Sequence, residues 1–376
     1  MNKRIFIVAF FAFLFLAGSV YAAIGITELR TEQLKNPLGI DVRQPRLGWR
    51  IESDEQNVMQ TAYHILVASS ADLLAQGKGD IWDSGKIESD ASQWIAYQGK
   101  PLKRNARYYW KVKVYTNRGE ADWSAPAFWS MGLLNEADWQ GQWIGLDRAA
   151  SGDSETQWSR LAARYLRKEF ALGREVKRAT VHIAGMGLYE LFINGQRIGD
   201  QVLAPAPTDY RKTILYNTYD VTPQLRKENA IGVTLGNGRF YTMRQNYKPY
   251  KIPTFGYPKL RLNLIVEYMD GSKETIATNT SWKLTTEGAI RSNNEYDGEE
   301  YDARKELGNW TQSGYDDKSW IAAQRVSIPS GTLRAQIMPG MKVMDTLKPV
   351  SIQKLGDKYI LDFGQNMAGW VRFRKI

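Results

Sequence analysis

The stretch from Ala179 to Gly199, ATVHIAGMGLYELFINGQRIG, admits few folds. Ala179, Val181 and Ile183 alternate with Thr180, His182 and Ala184, the period of two expected of a strand with one buried face. Gly185 and Gly187 interrupt that pattern. A second run, Leu188 to Ile193, ends at Asn194-Gly195, the pair that best tolerates the positive φ angles of a type I′ turn. Two hairpin corners within about twenty residues leave no room for a helix, so the spacing predicts an all-β unit.

The rest of the chain agrees. Thirteen Trp, twenty Tyr, twelve Phe, thirty-two Gly and thirteen Pro in 376 residues describe short strands joined by turns. The one helical candidate is Ala71 to Gln76. At ~100 to 200 residues per domain, the length allows two or three. A first domain, residues 24–132, is expected to carry strands Leu47–Ile51, Ala62–Ser69, Gln93–Tyr97 and Tyr109–Tyr115 at the intervals of a sandwich. In the last of these, Tyr109, Lys111, Lys113 and Tyr115 alternate with Trp110, Val112 and Val114. Asn117-Arg118-Gly119 then turns the chain toward Trp123-Ser124-Ala125-Pro126.

The polar segment Asn135–Gln142 and the run from Ala149 to Glu155 are read as linkers. A second domain, residues 143–329, contains the opening stretch, the strands Thr213–Tyr219, Ala230–Leu235 and Lys259–Glu267, and a hairpin corner at Asp270-Gly271. A third portion, residues 338–376, begins a further sandwich with strands Tyr359–Phe363 and Trp370–Phe373. Unpaired edges there predict poor order and weak hydrogen-exchange protection over 347–374.

The Tyr109–Tyr115 strand, its loop and the following Ser-Ala-Pro resemble the end of a fibronectin type III domain. The later order of strand, Asn-Gly hairpin, Ala204-Pro205-Ala206-Pro207-Thr208-Asp209-Tyr210, Tyr219-Asp220-Val221-Thr222 and Gly236-Asn237-Gly238 resembles a galactose-binding-like jelly roll. Four segments are more specific: Gly187–Gly195, Tyr219–Thr222, Gly298-Glu299-Glu300-Tyr301-Asp302-Ala303-Arg304 and Asp362-Phe363-Gly364-Gln365-Asn366-Met367-Ala368-Gly369-Trp370. In content and order they resemble motifs of the bacterial α-L-rhamnosidases, amino-terminal portion.

That resemblance implies an immunoglobulin/fibronectin type III-like sandwich, then a jelly roll, then an incomplete concanavalin-like β-sandwich. It also implies an inverting glycosidase that removes terminal α-L-rhamnose with two carboxyl groups mounted in a helical barrel. No helical repeat occurs before Ile376, so the barrel is expected to be missing and this chain alone to be inactive. The expected role is the non-catalytic part of such an enzyme, from a truncated or split gene, with a separately encoded barrel as partner. The alternative is a stand-alone secreted protein that binds rhamnose-containing glycans.

Lys3 and Arg4 precede an apolar run from Ile5 to Ala17, followed by Gly18, Ser19, Val20, Tyr21, Ala22 and Ala23, the pattern of a secretory signal cut after Ala22. The run is shorter than the ~20 residues a spanning helix needs, so the mature chain is expected to be secreted or periplasmic with no integral membrane segment; an uncleaved membrane anchor is the alternative. There is no cysteine, hence no lipid-acylation site and no disulfide. The formal charge of +10 is dispersed over pairs such as Lys103-Arg104, Arg167-Lys168, Arg211-Lys212 and Arg304-Lys305, with no run that tracks a nucleic acid.

Chemistry-bearing residues are few. His64 and His182 are the only histidines, each inside an expected strand; with no cysteine beside them a transition-metal site or a Cys/His nucleophile cannot be assembled, and the absence of a nucleophile elbow near either disfavours a Ser-His-Asp triad. Gly236-Asn237-Gly238 lacks the Lys-Ser or Lys-Thr of a phosphate loop. Glu295, Asp297, Glu299, Glu300 and Asp302 crowd five carboxylates into one segment, where each can raise its neighbours' pKa. That segment is read as structural or domain-joining, with Asp302 paired to Arg304 or to a neighbouring domain; sugar contact, or calcium at Asp297, Glu299 and Asp302 because hard oxygen donors suit that ion, is the ligand alternative, and catalysis the last. No other cofactor is expected. A sugar needs an aromatic platform beside amide or carboxylate partners. Tyr189, Glu190, Asp209, Tyr210, Asn237, Arg239 and Tyr241 are the carbohydrate-binding candidates on chemistry and position. The resemblance implies that some jelly rolls of this kind bind rhamnose with calcium.

Overall fold

The computed structural model describes residues 24–150, 161–242 and 254–372, so the expected signal and most of the expected 149–155 linker lie outside the described residues. The chain divides into two compact units, one of residues up to 37 with 42–130, the other of 38–41 with 131 onward.

In the first unit Gly25–Thr31, Arg46–Glu52 and Ile95–Ala96 form one antiparallel sheet. Trp82–Glu88, Gln60–Ala68, Arg107–Thr116 and Gly119–Glu120 form the other, with Ala127–Ser130 also on Arg107–Thr116. Along Arg107–Thr116 every second residue is buried, Tyr108, Trp110, Val112, Val114 and Thr116, while the intervening cationic and tyrosine side chains reach the surface. Trp49, Trp110 and Trp129 fill the core. The Trp49 indole donates to Gln60 Oε1 at 3.0 Å, and Gln60 Nε2 donates to the Ser89 and Ala91 carbonyls. The helix Ala71–Ala75 begins where Ser70 Oγ accepts from the Leu73 amide, a side-chain cap on an otherwise orphaned donor.

One expected strand is shortened. Gln93–Tyr97 yields only Ile95–Ala96, because Trp94 adopts φ +60° and Gln93 turns its side-chain amide onto the Trp49 carbonyl. A tryptophan in the left-handed region is costly, and it ends the ladder at that point.

The second unit is a pair of sheets facing each other across an aliphatic core. One sheet runs Gln196–Arg197, Leu188–Ile193, Glu228–Gly236, Arg164–Ala171, Lys283–Thr285, Ile321–Ala322. The other runs Gln324–Arg325, Ile144–Gly145, Lys259–Tyr268, Val176–Met186, Thr213–Asp220, Thr332–Ala335, with Lys273–Ala277 also on Lys259–Tyr268. All pairs are antiparallel except Thr213–Asp220 with Thr332–Ala335. Ala179, Val181, Ile183, Leu191, Ile231, Val233, Leu262 and Leu264 meet between the layers.

The opening stretch holds one hairpin, not two. Leu188–Ile193 pairs with Gln196–Arg197 across Asn194 at φ +51° and Gly195 at φ +81°, a two-residue loop with both central residues left-handed. The corner before it carries the chain from one sheet to the other, since Val176–Met186 and Leu188–Ile193 belong to different layers. Gly187 makes that passage at φ +121°, and a Cβ there would lie 2.1 Å from the Gly236 carbonyl oxygen.

The Val176–Met186 strand is also buried on both faces rather than one. Its second face, with Ala184 and Met186, lies under Leu133, Trp139, Trp143 and Tyr216. The segment read as the Asn135–Gln142 linker therefore works as a strap. The Gly141 amide donates to Asn263 Oδ1 at 2.8 Å, Arg261 Nε donates to the Gly141 carbonyl at 2.6 Å, and the Arg261 guanidinium lies 5.2 Å from the Trp139 ring centroid.

Toward the carboxyl end, Ser351–Leu355 and Lys358–Asp362 pair only with each other among the described residues. Val350, Ile352, Leu355, Tyr359 and Ile360 on this hairpin and its approach are all exposed. Trp370–Phe373 forms no strand over residues 370–372, and Phe373 lies outside the described residues.

Candidate functional site

The expected sugar-contacting residues separate into groups. Tyr210, Asn237, Arg239 and Tyr241 gather at one end of the second unit, where the residues after Glu228–Gly236 meet the turn of the hairpin Ile290–Asn294 with Gly298–Tyr301. Arg239 forms an ion pair with Glu295 and lies 5.8 Å from the Tyr296 ring centroid. The Asn237 amide donates to Asn293 Oδ1 at 2.6 Å, and its side-chain nitrogen donates to the Asn293 carbonyl at 2.6 Å. Asn237 Oδ1, in a side chain that is buried, accepts nothing among the described residues.

The tyrosines of this group face inward. Tyr210 is 2% exposed and meets the Phe240 and Phe255 rings edge-on at 5.1 and 5.2 Å. Burial pushes its phenol up to about 12, helped by the Glu295 carboxylate and opposed by Arg239. Tyr241 is buried and stacks on Tyr257, centroids 5.9 Å apart. Aromatic rings beside turns here close the end of the sandwich, which removes them as open sugar platforms. Asp209 holds Arg211 through two hydrogen bonds of 3.0 and 3.1 Å, which keeps its carboxyl below the usual range; that guanidinium lies 5.7 Å from the Phe255 ring.

Tyr189 and Glu190 lie elsewhere, on the strand Leu188–Ile193. Tyr189 is buried in the core, its hydroxyl donating to Asn217 Oδ1 at 2.7 Å, and burial holds its phenol well above the ordinary value. Glu190 is exposed, pairs with Arg197 at 3.2 Å, and repels Glu299, whose carboxyl is raised by burial first and by Glu190 second.

The acidic segment folds as a hairpin whose turn is built by Asn294, with Oδ1 accepting from the Tyr296 amide at 2.8 Å and the Asp297 amide at 3.2 Å. Asp302 holds Arg304 by two bonds of 2.8 Å and caps the turn Ala303–Lys305, and Arg304 brings its carboxyl down to about 2. The expected pairing of Asp302 with Arg304 is thus present. Among the described residues no three acidic or histidine side chains gather as a metal-ligating group, so Asp297, Glu299 and Asp302 form none. Neither histidine belongs to a triad: His182 is fully buried, with Nδ1 2.9 Å from Thr218 Oγ1, and His64 pairs with Asp83 at 2.6 Å. Burial pushes His182 down to about 3, with Arg178 adding to the effect.

Sequence reasoning missed the partners that complete this end of the unit, Asn293, Phe255 and Tyr257. It also missed a cleft of about 240 Å³ between Arg167, Lys168, Lys283 and Tyr315. The signal for the cleft was present in Arg167-Lys168, but the partner Lys283 is more than a hundred residues away and register alone brings it close.

Residues 26–135 match the family described as Rha78A-like, N-terminal immunoglobulin domain, and residues 174–345 match the alpha-L-rhamnosidase N-terminal domain. An alpha-L-rhamnosidase of Formosa agariphila is 40% identical over 358 residues, covering 90% of this chain and 37% of that relative. The solved alpha-L-rhamnosidase from Dictyoglumus thermophilum is 38% identical with a TM-score of 0.82, covering 91% of this chain and 38% of its own. That of Streptomyces avermitilis, complexed with L-rhamnose, is 25% identical with a TM-score of 0.81, covering 92% of this chain and 49% of its own. The chain thus spans half or less of the length of each.

Proposed function

The chain carries the amino-terminal domains of the α-L-rhamnosidases, and from that premise we propose that it serves as the non-catalytic front portion of an enzyme releasing terminal α-L-rhamnose. The observation that carries this is the ordered pair of domain matches, continued through similarity over nine-tenths of the chain to proteins more than twice as long. An inverting glycosidase needs an acid and a base ~6.5 to 9.5 Å apart across the sugar. Three acids of the candidate region are held in ion pairs, Glu295 with Arg239, Asp302 with Arg304 and Glu190 with Arg197. Its partner in hydrolysis is then a helical barrel bearing the two carboxyl groups, supplied by further or separate polypeptide.

Within the same reading, residues 1–22 direct the chain to the periplasm or outside the cell. A rhamnose-containing glycan is the ligand of the assembled enzyme. Carbohydrate contact by this chain falls on Glu190, Asp209 and Arg239, which keep exposed surface, rather than on Tyr189, Tyr210, Asn237 or Tyr241, which are buried.

Mixing the purified chain with the barrel portion of a related α-L-rhamnosidase tests the proposal. A rise in hydrolysis of a chromogenic α-L-rhamnoside over the barrel portion by itself is expected. Equal rates with and without this chain would count against it. Mass analysis of the exported protein tests the leader: an amino terminus at Ala23 is expected, and an intact Met1 in the cytosol contradicts it.

A further inference from the structure

The strand Arg164–Ala171 pairs with Lys283–Thr285 in a register that sets Arg167 directly opposite Lys283. Like charges in that position repel, so the pair needs compensation. Arg167 has it. Its side chain is 1% exposed, Nε donates to the Trp310 carbonyl at 2.9 Å, one terminal nitrogen donates to the Gln312 carbonyl at 3.0 Å, and ion pairs join it to Asp317 and Glu169. Glu169 is further engaged, accepting from the Gly314 amide at 2.9 Å.

Both nearby carboxylates are thereby committed to Arg167. The Lys283 ammonium has no hydrogen bond or ion pair among the described residues, although it lines the same cleft. Lys168, also on the cleft, donates to a neutral partner, Ser281 Oγ, at 3.0 Å and keeps two of its three N–H donors. Tyr315 forms a wall, its ring 5.3 Å from the Arg167 guanidinium. The cleft therefore has a floor of one guanidinium between two carboxylates, formally −1, an aromatic wall and two ammonium groups with donors to spare, which leaves its lining at +1. Its volume of about 240 Å³ equals roughly eight water molecules at ~30 Å³ each.

We propose that this cleft binds an oxyanion borne on a sugar, a carboxylate or sulfate ester held between Lys283 and Lys168 with the sugar's C–H face against Tyr315. An anion there meets the one positive charge that Glu169 and Asp317 leave over from Arg167, Lys168 and Lys283, and charge-assisted bonds to ammonium groups are the strong ones. Tyr315 supplies the apolar face a pyranose ring requires. This site goes beyond the role proposed above and stands or falls without it, since it needs no catalytic partner.

The test is an NMR titration of the full chain at low ionic strength with D-glucuronate, inorganic sulfate and, as the neutral control, D-glucose. Saturable shifts at Lys283, Lys168 and Tyr315 with D-glucuronate, and none with D-glucose, are expected. Lys283→Gln should weaken D-glucuronate about tenfold, the worth of one charge-assisted hydrogen bond, while Lys283→Arg retains binding. Lys168→Gln should weaken it in the same way. Because Lys283→Gln removes a repulsion, its denaturation midpoint should equal or exceed that of the unaltered chain, which separates lost binding from lost folding. Binding of sulfate without D-glucuronate overturns the sugar part of the proposal. No saturable shift with either anion, or an affinity in both glutamine variants unchanged from that of the unaltered chain, overturns it entirely.

Discussion

Gly187 holds the passage between the two sheets of the second unit at a φ of +121°, with the Gly236 carbonyl where a Cβ would stand. Gly187→Ala combines backbone strain with a clash against main chain that cannot swing away, and should cost ~2 to 3 kcal/mol. A urea titration checks it, and an unchanged midpoint would contradict the assignment. His182 gives a second residue-scale prediction. The unfolded chain takes up a proton near pH 6.5, whereas the folded chain resists until about 3. Below pH 6.5 the unfolded state binds more protons, so stability must fall with pH by up to ~1.4 kcal/mol per unit. Denaturation midpoints between pH 7 and 5 should decline less steeply in His182→Gln than in the unaltered chain; identical slopes would show that His182 does not titrate as described. At this scale the sequence was legible where the chemistry is local. Asn194-Gly195 declares its turn because both residues tolerate positive φ, whereas Trp94 gives no sign of its left-handed backbone, which answers a contact between Gln93 and Trp49. Tyr189, Tyr210 and Tyr241 carry sugar-platform chemistry in the sequence, but nothing local tells which way a ring packs, and all three turn inward.

Among elements, the 133–143 strap was the hardest to foresee. Its polar residues read as a linker, yet Trp139 and Trp143 cover the outer face of the Val176–Met186 strand and Arg261 ties the strap down. Trp139→Ala should therefore behave as a core truncation, costing ~3 to 5 kcal/mol, where a linker residue would cost little; thermal denaturation distinguishes the two. The strands themselves were legible, because alternation such as that of Arg107–Thr116 is written residue by residue. What alternation cannot show is a second covered face, since Thr180, His182 and Ala184 are small or amphipathic enough to read as the outer side. The hairpin Ser351–Leu355 with Lys358–Asp362 makes the opposite case, with Ile352, Leu355, Tyr359 and Ile360 exposed and no third strand beside it among the described residues. Two strands without a covered face are marginal in water. Amide exchange over 351–362 should accordingly be far faster than over Val176–Met186, and comparable protection would mean that something else covers the hairpin.

For the molecule as a whole, the two units have separate sheets and separate cores, and each corresponds to one of the matched amino-terminal domains. No described helix is long and apolar enough to cross a membrane. Architecture was readable from composition and turn chemistry, and the family from four ordered motifs; the candidate site was not, because its members are joined by long-range contacts such as Arg239 with Glu295 and Asn237 with Asn293. The central proposal is that this chain is the non-catalytic portion of a rhamnoside-cleaving enzyme and supplies neither of its acids. Proton NMR of an α-L-rhamnoside incubated with a stoichiometric amount of this chain alone tests that claim most directly. The account predicts no free rhamnose beyond the uncatalysed background. Steady release of rhamnose that is lost on Glu299→Gln or Glu295→Gln would contradict it.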